Sequence, residues 1–316
     1  QGPDDTTIDG GSSWESHGGV FVLKYRDTGH SHIEGFTVEG ARVWRANGGA
    51  LYCSGGSVAL RNCVFNDCAA ADDVGCLGSG GAVYLSNSPV GYSTIEDCLF
   101  TNCRSGPDGG AVLARDSGIA ITDCTFADCQ SEYYGSAVCI YGSAHCEVTD
   151  CLFYGNTSTQ SEFTGVLGAL NGSSPCDVYV GTCTFVANTN AQSTLYIATG
   201  TTVERCIIAF SEGDDTVHDL IGSPATQGDP YITRCVAYDN AHGDSLSGDY
   251  EDNRFFDPLI CNIYSEEFSL CANSPCLPSS PGNPWGELVG ALWQGCPDCA
   301  TVVEERSWGA IKALYR

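Results

Sequence analysis

An all-β solenoid, one short unit stacked on copies of itself, is the fold class this sequence predicts. A seven-residue phrase recurs as NCVFNDC at 62–68, DCLFTNC at 97–103, DCTFADC at 123–129 and DCLFYGN at 150–156. It continues as TCTFVAN at 182–188, RCIIAFS at 205–211 and RCVAYDN at 234–240. The leading cysteines, Cys63, Cys98, Cys124, Cys151, Cys183, Cys206 and Cys235, are separated by 35, 26, 27, 32, 23 and 29 residues. A period in that range with variable insertions is the signature of stacked repeats. A second phrase precedes most copies: GGALYC at 48–53, GGAVYL at 80–85, GGAVLA at 109–114 and GSAVCI at 135–140.

Each column of the repeat has a physical reading. Three positions before the cysteine stand Leu60, Ile95, Ile121, Val148, Val180, Val203 and Ile232; two after it stand Phe65, Phe100, Phe126, Phe153, Phe185, Ile208 and Ala237. An eighth copy without the cysteine fits upstream at Ile33, Phe36 and Val38. These short β-branched and aromatic stretches, bounded by Gly, Asn, Asp and Ser, read as strands. Cysteine and aromatic share one strand face, whereas the aliphatic residue has the opposite parity, so a corner or bulge between them is needed to turn all three inward. The paired glycines suit a tight corner. Each turn then supplies at least two strands, stacked in parallel about 4.8 Å apart.

The pattern GGAVYL followed by I-x-x-C-x-F-x-x-C/N resembles the right-handed parallel β-helix repeat proteins of bacteria, including polymorphic outer-membrane proteins and secreted relatives. The likeness runs from about Gly2 to Cys299, with TTIDGG at 6–11 and FVLKY at 21–25 similar to early coils. FDPLI at 256–260, EEFSLCANSPC at 266–276 and ELVGAL at 287–292 are similar to a closing segment. The resemblance implies a right-handed parallel β-helix of about eight or more coils with a disulfide-rich C-terminal cap. Such proteins usually begin with a strand-and-helix cap that this sequence does not carry. A processed fragment or a bare first rung is therefore expected, and a bare rung invites end-to-end association. The scaffold hosts lyases, hydrolases, adhesins and structural proteins alike, so it does not name an activity.

The expected organisation is coils over 1–251, a cysteine-rich cap over 252–299 and a tail over 300–316. A net charge of −26 argues against nucleic acid or anionic membrane as partner. No apolar run approaches the length of a membrane span. In the tail RSWGAIKALYR, Trp308, Ile311, Leu314 and Tyr315 form one apolar face of a short helix, either a docking or assembly signal or a helix packed on its own cap.

Twenty cysteines point to an oxidising compartment, secreted or at the cell surface. The second motif cysteine (Cys68, Cys103, Cys129) gives way to Asn156, Asn188, Ser211 and Asn240, so an obligatory bridge within the motif is not the rule. The leading cysteines read as a buried ladder of small side chains. Bridges between rungs, or within coils as Cys63–Cys68, Cys98–Cys103 and Cys124–Cys129, stay open. In the cap, Cys261, Cys271, Cys276, Cys296 and Cys299 suggest a staple, with Cys261–Cys271 and Cys276–Cys296 the expected pairs. The Cys-Pro-Asp-Cys run at 296–299 supplies half of a zinc or redox motif, without a second Cys-x-x-Cys or nearby histidines.

Catalytic candidates are few. Asp214 and Asp215, then His242 and Asp244, follow the order seen in polygalacturonase-like hydrolases, but the preceding Asn-x-Asp and following Arg-x-Lys elements are absent. Lyase chemistry needs a basic proton acceptor, often aided by calcium. The column before the ladder cysteines, Asn62, Asp97, Asp123, Asp150, Thr182, Arg205 and Arg234, points outside the tube, but its acids and arginines lie on different coils. Asp72, Asp73, Asp214 and Asp215 are the calcium candidates, without calcium-loop spacing. For stacking on sugars, Tyr133 and Tyr134 in an inter-coil loop stand out, while Trp285 and Trp293 are expected in the cap core. Asn156 and Asn171 begin glycosylation sequons, Asn156 within the turn ladder.

A non-catalytic extracellular structural or adhesive solenoid is thus expected, partnered by copies of itself in a filament or by extracellular glycans. The alternatives are a lyase or hydrolase of acidic polysaccharide and a carbohydrate-binding module.

Overall fold

A computed structural model describes residues 7–10, 12–13, 19–24, 29–70, 78–88, 93–142, 145–160, 164–171, 177–189, 193–198, 200–211, 221–222, 230–241, 243–244 and 249–299. The repeat folds into a parallel β-solenoid whose turns contribute to four lengthwise sheets. The aliphatic sheet has nine strands, from His30–Glu34 to Asp249–Glu251, and the phenylalanine sheet nine, from Thr7–Asp9 to Val236–Tyr238. The glycine-led sheet has eight, from Phe21–Lys24 to Ile221–Gly222, and a sheet of two-residue strands has six, from Ser12–Ser13 to Thr157–Ser158. The expected minimum of two strands per turn becomes four, because the cysteine phrase with its preceding aliphatic stretch makes two strands and the residues after the second corner make a short one.

The register aligns the columns. Ile95 pairs with Leu60 and Ile121, Ile121 with Val148, and Phe126 with Phe100 and Phe153. A single buried apolar cluster runs from Ile33 to Ala237. Within it Phe65, Phe100, Phe126, Phe153 and Phe185 stack with centroids 4.6 to 4.9 Å apart and planes within 11°. Parallel in-register pairing imposes that stack, because each ring sits directly above its counterpart one rung away.

The parity conflict is resolved by one left-handed residue. Asn62, Asp97, Asp123, Asp150, Thr182, Arg205 and Arg234 all have φ between 49° and 54°. This conformation turns the chain once between the aliphatic and phenylalanine strands, so residues of opposite parity both face inward. A second such corner follows at Asp67, Asn102, Asp128, Gly155, Ala187, Phe210 and Asp239. Asn, Asp and Gly tolerate this region best, which explains the residue types at most of these corners, whereas Thr182, Ala187, Arg205, Phe210 and Arg234 hold it without that tolerance. In the glycine-led corner, Gly80 has φ 67°, and a Cβ on Gly81 would lie 2.0 Å from the Gly110 carbonyl oxygen.

The ladder cysteines are unbridged. Cys63, Cys68, Cys98, Cys103, Cys124, Cys129, Cys151, Cys183, Cys206 and Cys235 are all buried free thiols. A bridge within a coil is blocked by the three-residue extended strand between the two corners, which holds the Cα atoms roughly 10 Å or more apart, beyond disulfide reach. Between rungs each thiol instead lies against carbonyl oxygens. The Cys124 Sγ is 3.2 Å from Thr122 O and 3.5 Å from Ile95 O. At the second corner asparagine makes the same contact better: Asn156 Nδ2 donates to Phe126 O at 2.9 Å, and Asn156 Oδ1 accepts the Cys129 N–H at 3.0 Å. Asn188 repeats the pattern one coil on, accepting the Asn156 N–H and donating to Phe153 O. Asn156 is fully buried, so its sequon offers no acceptor for a glycan.

A further copy of the repeat, not evident from the cysteine spacing, closes the coils at YEDNRFF. Tyr250 pairs in register with Ile232, Asp252 is left-handed, and Asn253 takes the ladder position by accepting the Cys235 N–H at 2.8 Å and donating to Ile232 O.

The closing segment folds back along the outer face of the phenylalanine sheet. Its core is a three-stranded sheet of Ile260–Asn262, Glu267–Cys271 and Gln294–Cys296. Leu270, Cys276, Leu277 and Val289 cover the outward Ile207, Ala209 and Val236, and the Phe268 and Tyr154 rings lie 4.7 Å apart. Ala291 N–H donates to Thr184 Oγ1 and Gly290 N–H to Arg205 O. The disulfides here are Cys261–Cys296 and Cys271–Cys299, correcting the pairing expected from spacing. The reason is register: the third strand joins in parallel with Cys296 opposite Cys271, bringing 296–299 to both earlier cysteines, while Cys276 turns into the apolar contact as a free thiol. Trp285 packs in that contact, but Trp293, contrary to expectation, is 64 % exposed among the described residues.

Candidate functional site

Strand alternation in the glycine-led sheet places one residue of each Leu-Tyr-Cys or Val-Tyr-Leu triplet outward. The register joins these into a column of Val22, Tyr52, Tyr84, Leu113, Cys139, Gly168 and Tyr196. Beside it, two residues along each strand, runs Lys24, Ser54, Ser86, Arg115, Tyr141 and Leu170. Together they form a flank in which Tyr84, Leu113, Cys139, Leu170 and Tyr196 are buried as one apolar cluster, with Tyr52, Tyr134 and Tyr141 half-buried against it and Lys24 and Arg115 exposed. Tyr52 and Tyr84 stack at 5.4 Å with planes 4° apart, and Lys24 Nζ lies 5.8 Å over the Tyr52 ring. The Arg115 guanidinium lies 5.0 Å over the Tyr141 ring. Tyr134 arches over Gly168, where a Cβ would meet its side chain, and approaches Tyr196 at 5.6 Å.

One carboxyl belongs to this flank. Burial pushes the Asp108 pKa up to about 6, against the downward pull of the Tyr134 N–H and of Arg115. Desolvation also raises Tyr84, Tyr134 and Tyr196, the last to about 12, so the phenols stay neutral. Because the unfolded chain releases the Asp108 proton at lower pH than the folded one, stability falls as pH rises from about 4 to about 6 and then levels off. Asp108→Asn is expected to flatten that fall, read as urea midpoints at about pH 4 and about pH 7.

Tyr134, expected from sequence, lies at this flank, and Tyr133 is 37 % exposed beside it. Tyr52, Tyr84, Tyr141 and Tyr196 are not among the residues expected from sequence, although GGALYC and GGAVYL carry two of them at the outward position. Asp214, Asp215, His242, Asp72 and Asp73, and the tail residues Trp308, Ile311, Leu314 and Tyr315, lie outside the described residues. Asp244 Oδ1 accepts the Asn240 N–H and amide, closing the asparagine ladder.

The outward arginines clasp the closing segment. Arg205 and Arg234 pair with Glu287 at 3.5 and 3.1 Å, and Arg234 also with Glu204. Burial works to lower the Arg205 pKa, but Tyr179, Glu287 and Glu204 outweigh it and raise the net value, which opposes use as a proton-abstracting base. Asp123 is raised by partial burial and then by Asp150 and Asp97 on adjoining coils. Several inward thiols are held protonated: the neighbouring Cys124 thiol and burial push Cys98 up to about 12, and burial raises Cys103, Cys124 and Cys151. Such thiols are poor nucleophiles.

A family model described as a right handed beta helix region matches residues 109–264. Over that stretch the chain is similar to that family, in keeping with the parallel coils described above. No curated protein and no solved structure matches. Among the described residues no helix is long and apolar enough to cross a membrane, which, with the two disulfides, is compatible with an extracellular location.

Proposed function

We propose that this chain is a non-catalytic adhesive β-solenoid that holds an extended neutral glycan along its tyrosine flank. The observation that carries this reading is the pair of outward columns bearing Tyr52, Tyr84, Arg115 and Tyr141 in register on successive coils. Rungs repeat every ~4.8 Å, comparable to one pyranose unit, so a chain lying parallel to the axis would meet the half-buried Tyr52 and, beyond the buried Tyr84, Arg115 and Tyr141 on the next two coils. Tyrosine offers an apolar face with a polar rim at low entropic cost, and arginine stacked on tyrosine is preordered. The net charge of −26 disfavours an acidic polysaccharide.

Glycan arrays followed by affinity electrophoresis test the reading. Tyr52→Ala and Arg115→Ala, both at positions that are not fully buried, are each expected to weaken binding about three- to tenfold, with unfolding midpoints close to the parent. Reducing-end or unsaturated-product release from any bound polysaccharide would replace this reading with an enzymatic one. Sedimentation of the same samples reads self-association, the other partner expected from the sequence.

A further inference from the structure

We propose that Cys261, Cys271, Cys296 and Cys299 form a convertible centre, two disulfides when oxidised and a four-thiolate site for one zinc ion when reduced. Of these four, only Cys296 and Cys299 have metal-site spacing along the sequence. The fold supplies the second pair, because Glu267–Cys271 lies between Ile260–Asn262 and Gln294–Cys296 in one small sheet. The sulfurs of Cys261, Cys271 and Cys296 all lie within 4.8 Å of one another, and those of Cys296 and Cys299 are 3.9 Å apart. A tetrahedral zinc with Zn–S of about 2.3 Å has sulfur–sulfur edges of about 3.8 Å. One edge of that tetrahedron is therefore already present.

The backbone is placed for both states. The Cα atoms of the two bridged pairs are 6.1 and 5.6 Å apart, so rotation of side chains suffices to open each pair around a metal. Asn273 fixes the Cys-x-x-Cys turn from both sides: its Oδ1 accepts the Cys299 N–H at 3.0 Å and its Nδ2 donates to Cys299 O at 2.9 Å. The Ala272 N–H donates to Cys296 O at 3.1 Å. None of these bonds uses a sulfur, so none is lost on reduction. Four sulfur donors select zinc over calcium or magnesium. Among the described residues, Cys261, Cys271 and Cys296 are gathered at metal-binding separations with Cys299 beside Cys296, whereas the ladder thiols run in columns along the core.

The chemistry balances with a phosphine or thiol as reductant. Each disulfide takes up two electrons and two protons to give two thiols; a phosphine leaves as its oxide with oxygen from water, and a thiol leaves as its own disulfide. Zn²⁺ then displaces four protons to give a dianionic tetrathiolate. A disulfide oxidant of the glutathione class reverses the sequence and expels the ion.

The test uses the full chain, reduced with a water-soluble phosphine, loaded with zinc or cobalt chloride, desalted and analysed for metal. About one ion per chain is expected, with the visible and thiolate-to-metal absorption bands of tetrahedral cobalt, and release of that ion on treatment with glutathione disulfide. Cys271→Ser with Cys299→Ser should cut the metal content at least about tenfold, whereas Cys98→Ser should leave it unchanged. A reduced chain that keeps its far-ultraviolet circular dichroism but takes up no cobalt overturns the proposal, whatever the variants do. So does equal uptake by the parent and the doubly substituted chain.

Discussion

Replacing Phe126 with alanine is expected to lower the unfolding free energy by about 3–5 kcal/mol. The ring is fully buried and stacks at 4.9 Å on both Phe100 and Phe153. Its removal leaves a void that the walls cannot collapse to fill, because the hydrogen-bonded register of the neighbouring rungs fixes their separation. The two flanking rings would each lose a stacking partner, which adds to the transfer term. Phe126→Leu keeps most of the apolar volume and should cost about 1–2 kcal/mol. Thr125, one position away on the outward face, should tolerate alanine within about 0.5 kcal/mol. Urea titrations of the three variants against the parent measure these values. Equal midpoints for Phe126→Ala and Thr125→Ala would mean that the ring column does not stabilise the cylinder.

Asn156→Ala is expected to cost about 2–5 kcal/mol for a different reason. Alanine fills much of the space but leaves the Cys129 N–H and the Phe126 carbonyl without their partners, both inside the cylinder. The Asn156 amide also donates to Asn188 Oδ1 at 2.9 Å, so its loss interrupts the ladder between coils. Asn156→Cys installs the residue used at the same corner in three earlier coils and should recover at least half of the loss. A thiol can donate to the carbonyl one coil back, as Cys129 Sγ does toward Phe100 O at 3.8 Å. If Asn156→Cys proved no better than Asn156→Ala, the corner would be sensitive to amide geometry and not merely to a satisfied donor. Hydrogen exchange at Cys129 would show which: its amide should be protected in the parent and open in Asn156→Ala.

The inward columns were legible because period and residue type agree. Ile95, Cys98 and Phe100 recur with Ile121, Cys124 and Phe126, and no helical spacing competes with them. The need for a corner was also legible, from the parity clash between Ile95 and Cys98; that Asp97 itself makes the corner follows from its left-handed tolerance. The last coil escaped notice because Tyr250 and Asn253 stand where the other copies carry an aliphatic residue and a cysteine. The docking of the closing segment left a trace in Ile207-Ile208-Ala209-Phe210, which is apolar at both parities, as a strand buried on both faces must be. The disulfides left none, since their pairing depends on how three short strands assemble. The tyrosine flank leaves its signal in the strands and not in the loops: in GGALYC and GGAVYL, alternation alone places Tyr52 and Tyr84 outward.

The two left-handed corners have a consequence for how such a chain can change. From Glu96 to Leu99, Thr122 to Thr125, Thr149 to Leu152 and Glu204 to Ile207, two residues always bridge the aliphatic and phenylalanine strands. The spans from Ala70 to Val83 and from Ser105 to Val112, by contrast, differ widely in length, as do those from Ser86 to Ser93 and from Arg115 to Ile119. Growth is therefore confined to the two margins of the glycine-led sheet, while the opposite side keeps time like the teeth of a rack. Foreign peptides grafted between Ala70 and Val83 should be carried at the border of the aromatic face without altering the pitch of the coils beneath.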